Sequence, residues 1–155
     1  MPLDSPLDTL TELAREATDA AARMLGHCNR QRETASQQLT SLRDYRQDYL
    51  HRLQTAMQTG LAAADCHNYQ RFIATLDAAI AEQTQVVLAA EQQLTTGRGQ
   101  WCEARRKLNA FETLHTRAQQ AMAQRQRLRE QRASDEAAAR AYHERRMNTQ
   151  AALAA

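Results

Sequence analysis

Three thiols and five imidazoles are the most reactive side chains in this chain of 155 residues, and their spacing decides what they can do. Cys28, Cys66 and Cys102 lie 38 and 36 residues apart, odd in number and with no Cys-x-x-Cys pair. That pattern fits neither a disulfide framework nor a zinc site. Cys28 and Cys102 fall on apolar tracks and read as small core residues. The five histidines are scattered, and no two stand four apart beside an acidic partner, so a helical metal site is not expected. The sequence holds no Gly-rich phosphate loop, no nucleophile elbow and no carboxylate pair in an apolar setting. No enzyme, cofactor or metal is expected.

What remains is the chemistry of recognition. The stretch "NYQRFIATLDAAI", residues 68–80, crowds Tyr69, Phe72, Ile73, Leu76 and Ile80 together, and "LRDYRQDYLHRL" upstream adds Tyr45 and Tyr49. Four of the seven aromatic residues therefore fall between positions 45 and 72. Such a cluster either fills a core or offers a partner aromatic anchors.

The elements that must carry this cluster follow from composition. Aromatic content of 5% and a mean hydropathy of -0.71 are too low for a wide globular core. Both prolines precede position 7, there are four glycines, and Ala, Leu, Gln, Arg and Glu dominate. These are the residues of long helices and coiled coils. No apolar run is long enough to span a membrane, and the N-terminal residues do not read as a secretory signal. A cytoplasmic, elongated all-α protein is expected.

Periodicity supplies the layout. Ser5 can cap a helix, with Pro6 at its first position and Asp8 reaching back as the third residue of a capping box. From Leu7 every seventh residue is small or apolar: Leu7, Ala14, Ala21, Cys28, Ala35, Leu42, Tyr49, Ala56. A companion track three residues on holds Leu10, Ala17 and Met24 and then turns polar at Gln31 and Gln38, so the seam is expected to drift toward Leu39, Leu50, Leu53 and Met57. Gly60 ends this helix, and Asp65 or Asn68 can cap the next. A second heptad track then runs Ile73, Ile80, Val87, Leu94, Trp101, Leu108, His115, Met122, beside Leu76, Gln83, Ala90, Gly97, Ala104, Phe111 and Ala118. Two long helices joined by a short turn must be antiparallel neighbours, and about 50 residues at 1.5 Å each make a hairpin of roughly 75 Å. The expected organisation is a coiled-coil hairpin over residues 1–125, turning near 58–67, and a helical extension or frayed tail over 126–155.

Charge agrees with that pairing. With the turn centred near residue 63, residue i faces roughly residue 126 minus i. The acids Asp4, Asp8, Glu12, Glu16 and Asp19 then meet a segment carrying Arg105, Arg106, Lys107, Arg117 and further arginines. Opposite signs across the open end favour the antiparallel arrangement without adding much stability. The Arg-rich tail lacks aromatic interleaving and is interrupted by Glu130, Asp135, Glu136 and Glu144, so nucleic acid is not an expected partner.

On a helical wheel Leu42, Tyr45 and Tyr49 form one stripe and Leu39, Leu50, Leu53 and Met57 another, roughly 80° apart. Phe72, Leu76, Ala79 and Gln83 stand in the same relation to Ile73 and Ile80. Two readings are open. The surplus stripe either widens the core near the turn or leaves an exposed apolar patch on both helices that binds a partner.

At these residues the chain resembles the flagellar FliJ family. The resemblance rests on "LRDYRQDYLHRL", the Gly60 turn, "NYQRFIATLDAAI" followed by Gln83, and the opening "LDTLTELAREATDAAARMLG". It covers roughly residues 7–125 and leaves the last 30 residues unmatched. The resemblance implies a long antiparallel two-helix coiled coil similar to the rotor stalk of F-type and V-type ATPases. It further implies a non-enzymatic component of the flagellar type III export apparatus, peripheral to the inner membrane at the flagellar base. Implied partners are the hexameric export ATPase, the cytoplasmic domain of the export-gate membrane protein, and export chaperones. The implied gate-binding residues are Gln38, Leu42, Tyr45, Tyr49, Phe72, Leu76, Ala79 and Gln83, the last standing where the family often has His. By analogy with the stalk, the open end enters the ATPase ring, with Leu10, Leu13, Arg105, Arg106, Lys107 and Arg117 as its contacts. The equivalent stalk of a virulence injectisome and a generic coiled-coil scaffold are the alternatives.

Overall fold

The structure, a computed structural model, describes residues 5–155 and consists of two α-helices, α1 (Pro6–Thr59) and α2 (Ala63–Ala154). Asp4, counted above among the acids of the open end, lies outside the described residues. The first helix starts as its capping box predicts. The Leu7 amide donates to Ser5 Oγ at 3.2 Å and the Ser5 amide to Asp8 Oδ2 at 3.1 Å, while Ser5 C=O accepts from the Asp8 amide. Two otherwise orphaned donors are thereby satisfied reciprocally. The helix ends at Gly60, whose φ of 90° is a left-handed conformation that costs a side-chain-bearing residue more than it costs glycine. Its last turn is closed by Thr59 Oγ1 donating to Ala56 C=O at 3.1 Å.

The second helix begins earlier than expected. The Cys66 amide donates to Ala62 C=O, so Ala62 stands at the cap, Asp65 is an acid within the first turn and Asn68 is helix interior. The alanine run before Asp65 favours helix strongly enough to move the start upstream. Asp65 still opposes the helix dipole from that first turn.

Residues Leu13–Leu108 form one compact unit, and residues up to Glu12 with Asn109–Ala155 form another. In the first, α1 and α2 pack antiparallel along a seam of Cys28, Ala35, Leu39, Leu53, Ile73, Leu76, Ala90, Leu94 and Gly97. Cys102, also expected in the core, is exposed, because the seam of α2 passes through its neighbours Trp101 and Ala104. No large side chain among the described residues is fully enclosed, because a two-helix core is one residue deep. In the second unit Thr11 is buried, and His115 Nε2 meets Asp8 Oδ1 at 2.6 Å. From Thr116 on, the side chains of α2 are exposed.

The seam corrects one expectation on α1. Its companion track is four residues on from the Leu7 series, not three: Thr11, Thr18, Leu25, Arg32, Leu39, Arg46, Leu53, all buried or half-buried except Arg32, which is exposed. Leu10 and Met24 are instead 45% and 54% exposed; of the four residues toward which the seam was expected to drift, Leu39 and Leu53 are buried and Leu50 is half-buried, while Met57 is exposed. Four of these seven positions are Thr or Arg, so apolar periodicity alone passes over them. Thr11 and Thr18 each donate their hydroxyl to the carbonyl four residues back, Leu7 and Ala14, at 2.8 Å. With the hydroxyl satisfied inside its own helix, the methyl group can face the seam. Arg46 reaches out of the seam to pair with Asp77 on α2.

The register is tighter than expected. The Thr18 hydroxyl, whose one proton goes chiefly to Ala14 C=O, is shared with Ala104 C=O across the seam at 3.2 Å, and the Leu25 side chain lies against Gly97. Residue i thus faces roughly residue 122 minus i, about one helical turn from the 126 anticipated. The turn is centred on Leu61 because α2 starts at Ala63.

Candidate partner-binding site

The aromatic cluster sits where α1 and α2 approach the turn. Tyr49, half-buried on the Leu7 heptad track, packs against Phe72 with ring centroids 4.3 Å apart and against Tyr69 at 6.3 Å, both tilted. Such offset pairs add to the area they bury. The Arg52 guanidinium lies over the Tyr49 ring at 5.3 Å and is held by Asp48 at 3.1 Å. Around this stack the eight residues implied by the resemblance fall into three layers.

Leu76 is core, only 8% exposed. Leu42, Tyr49, Ala79 and Gln83 are half-buried at the edge of the seam. Gln38 is exposed, and so are Tyr45 and Phe72, at 59% and 42%. The surplus stripe is thus divided: some members widen the core and others stay exposed. Leu76 does not belong to a surface stripe: the seam of α2 runs between Ile73 and Leu76, so both are covered by α1. Tyr45 and Phe72 lie beyond what a single opposing helix can cover.

The polar end of the cluster is fixed by an amide. Gln83 Nε2 donates to Ala35 C=O at 3.0 Å and to Gln38 Oε1 at 3.1 Å, which uses both of its protons and holds the two glutamines across the helices. Next to Tyr45, a shallow depression of about 290 Å³ is lined by Ser41, Asp44 and Asp48. These two acids were not among the expected site residues. Their signal was the spacing of Asp44, Asp48 and Arg52, four apart along the face that carries Tyr45.

The residues expected at the open end are solvent-facing. Leu10 and Arg117 belong to the unit of the chain ends; Leu13, Arg105, Arg106 and Lys107 belong to the Leu13–Leu108 unit. Arg105 lies over the Trp101 ring at 5.7 Å, and Arg106 pairs with Glu103 at 3.4 Å. Across the helices Asp8 pairs with His115 rather than with an arginine, because the register shift brings that seam histidine opposite the cap. Among the described residues no three of His, Cys, Asp and Glu gather as a metal site would need, and no helix is long and apolar enough to cross a membrane.

Residues 3–147 match the family model of the flagellar FliJ protein. The chain belongs to the flagellar FliJ family. The flagellar FliJ protein of Salmonella typhi is 36% identical to it over 135 residues, spanning 87% of this chain and 92% of the relative. That of Escherichia coli K12 is 34% identical over the same shares. A solved YscO homologue from Chlamydia trachomatis resembles the fold with a TM-score of 0.52 at 15% identity, over 92% of this chain and 96% of that one. This FliJ-family chain therefore falls among flagellar export components. The match to residue 147 also corrects the limit drawn near 125: the family pattern continues along most of the exposed part of α2. Without apolar periodicity there, that continuation was not legible from spacing.

Proposed function

We propose that this FliJ-family chain is a non-enzymatic stalk of the flagellar type III export apparatus, coupling the hexameric export ATPase to the cytoplasmic domain of the export-gate membrane protein and handing on export chaperones. The observation that carries the gate contact is the pair of exposed aromatics, Tyr45 and Phe72, seated on a buried seam. Rigid aromatic anchors on a preformed helical surface lose little conformational entropy on binding and are frequent hot spots. Gln38, held by Gln83, offers its free amide protons at one end of the anchors, and Asp44 and Asp48 add acceptors beside Tyr45. The family's flagellar relatives favour this reading over an injectisome stalk.

The ring contact is assigned to the exposed residues Leu10, Leu13, Arg105, Arg106, Lys107 and Arg117. A contact resting on such charges weakens as the Debye length falls below about 10 Å. Stimulation of the export ATPase should therefore decline with salt and vanish when residues 1–20 are removed.

The deciding experiment is a binding titration of the gate domain with Tyr45→Ala/Phe72→Ala. Affinity should fall by about 2–4 kcal/mol, the scale of aromatic hot spots, while helicity and the unfolding transition stay nearly unchanged. Loss of cooperative unfolding together with binding would make the pair core residues and remove the gate reading.

A further inference from the structure

One flank of α1 within the Leu13–Leu108 unit changes character along its length. Leu13, Ala17, Ala20 and Met24 are exposed at steps of three and four, which places them on one face. The same face continues as His27, Gln31, Thr34 and Gln38, also exposed. From His27 onward it forms one wall of a groove of about 580 Å³, whose opposite wall is Val86, Ala89 and Gln93 and whose floor is Ala35 and Ala90. The groove is thus apolar at the bottom and rimmed by amides, His27 and Arg30, with no carboxylate in its lining. An apolar helix edge carrying an acid would complement it.

The chain itself presents such an edge. The Leu13–Met24 stripe is flanked by Glu16, which stands in heptad line with Arg23 and Arg30. None of these three forms an ion pair among the described residues. The Arg30 guanidinium lies back over Gly26, 3.5 Å from where a Cβ would stand there, so its charge is held close to the helix surface.

We infer that a second copy of the chain fills the groove. Two copies meet antiparallel about a two-fold axis crossing α1 beside Arg23, midway between Glu16 and Arg30. Leu13 and Ala17 of each reach the groove of the other, and Glu16 of each faces Arg30 of its mate. Two-fold symmetry makes every such contact twice. Ala20 is the small residue of this face nearest the axis, where the two α1 helices must come closest. The same symmetry brings the two Arg23 side chains together, and that repulsion keeps the association weak and reversible. The inference does not depend on the export reading, but it bears on it. Leu13 is covered in the dimer, so self-association and any partner contact through Leu13 exclude one another.

Sedimentation equilibrium of the full chain, from low micromolar to several hundred micromolar, tests the inference. The apparent mass should rise from 17.5 kDa toward twice that value. Glu16→Arg and Arg30→Glu should each lower the association constant about tenfold, the double exchange should restore it, and Arg23→Gln should raise it severalfold. Circular dichroism of each variant checks that the helices persist; if one exchange disturbs folding, Arg23→Gln still carries the test. A mass of 17.5 kDa at every concentration, also for Arg23→Gln, would overturn the inference and leave the groove to a helix of another protein. A dimer indifferent to the charge exchanges would overturn it equally, placing the interface elsewhere.

Discussion

Two stretches of the Leu13–Leu108 unit meet the same packing problem with different side chains. In the middle, Thr18, Ala21, Cys28 and Ala35 face Ala90, Leu94, Gly97 and Ala104. Here side chains are small enough that a Cβ on Gly97 would stand 3.8 Å from the Leu25 backbone. Toward the turn the seam is Leu39, Leu53, Ile73 and Leu76, with Tyr49, Tyr69 and Phe72 stacked at its edge. Small seam residues let two helices close on each other and are used up in doing so, and the apolar surface exposed there belongs to residues off the seam, Leu13, Met24 and Val86. Large ones exceed what a core one residue deep can enclose, so rings are left at the surface, where a partner can use them. Stability and recognition are therefore drawn from the same residues near the turn and from different residues in the middle.

The largest expected effect falls on the bulky end. Leu76→Ala removes a side chain packed under the aromatic layer and should cost about 2–4 kcal/mol in urea unfolding followed by circular dichroism. A cost below about 1 kcal/mol would show that Leu76 behaves like the surface residues around it. The middle responds at a smaller scale and in both directions. Gly97→Leu should destabilise by about 1–3 kcal/mol through overpacking. Gly97→Ala should stabilise by about 0.5–1 kcal/mol, since its Cβ would meet Leu25 and Cys28 at the ordinary separations of 3.7–3.8 Å and a helical glycine is entropically costly. Destabilisation by alanine would mean that the two backbones approach more closely than those separations allow. The smallest effect is expected for Thr18→Val, within about 0.5 kcal/mol, because the shape is kept and the carbonyls of Ala14 and Ala104 retain their helical partners. A larger loss would show that the threonine hydroxyl, and not the packing of its methyl, sets the register there.

Much of this was legible in particular residues. The Ser5–Asp8 capping box, the left-handed Gly60 and the α2 tracks through Leu94 and Gly97 are where spacing places them. Of the companion track on α1 only Leu39 and Leu53 were, because threonine and arginine at Thr11, Thr18, Arg32 and Arg46 hide the rest. The aromatic cluster was visible as surplus apolar surface, yet its division into core Leu76 and exposed Tyr45 and Phe72 was not, since each lies within half a helical turn of the seam.

What the sequence alone determined is local: the beginning and end of α1, the two-helix pairing, and the periodicity of both tracks of α2 and of one track of α1. These follow from backbone hydrogen bonds and a 3.6-residue repeat, both carried by near neighbours in the chain. Which side of that track turns inward, and where one helix stands against the other, only the tertiary structure decided. A slide of one turn leaves apolar residues opposite apolar residues, so periodicity barely distinguishes the two registers. The choice falls to groups that meet only after pairing, such as Gln83 with Ala35 and Gly97 with Leu25.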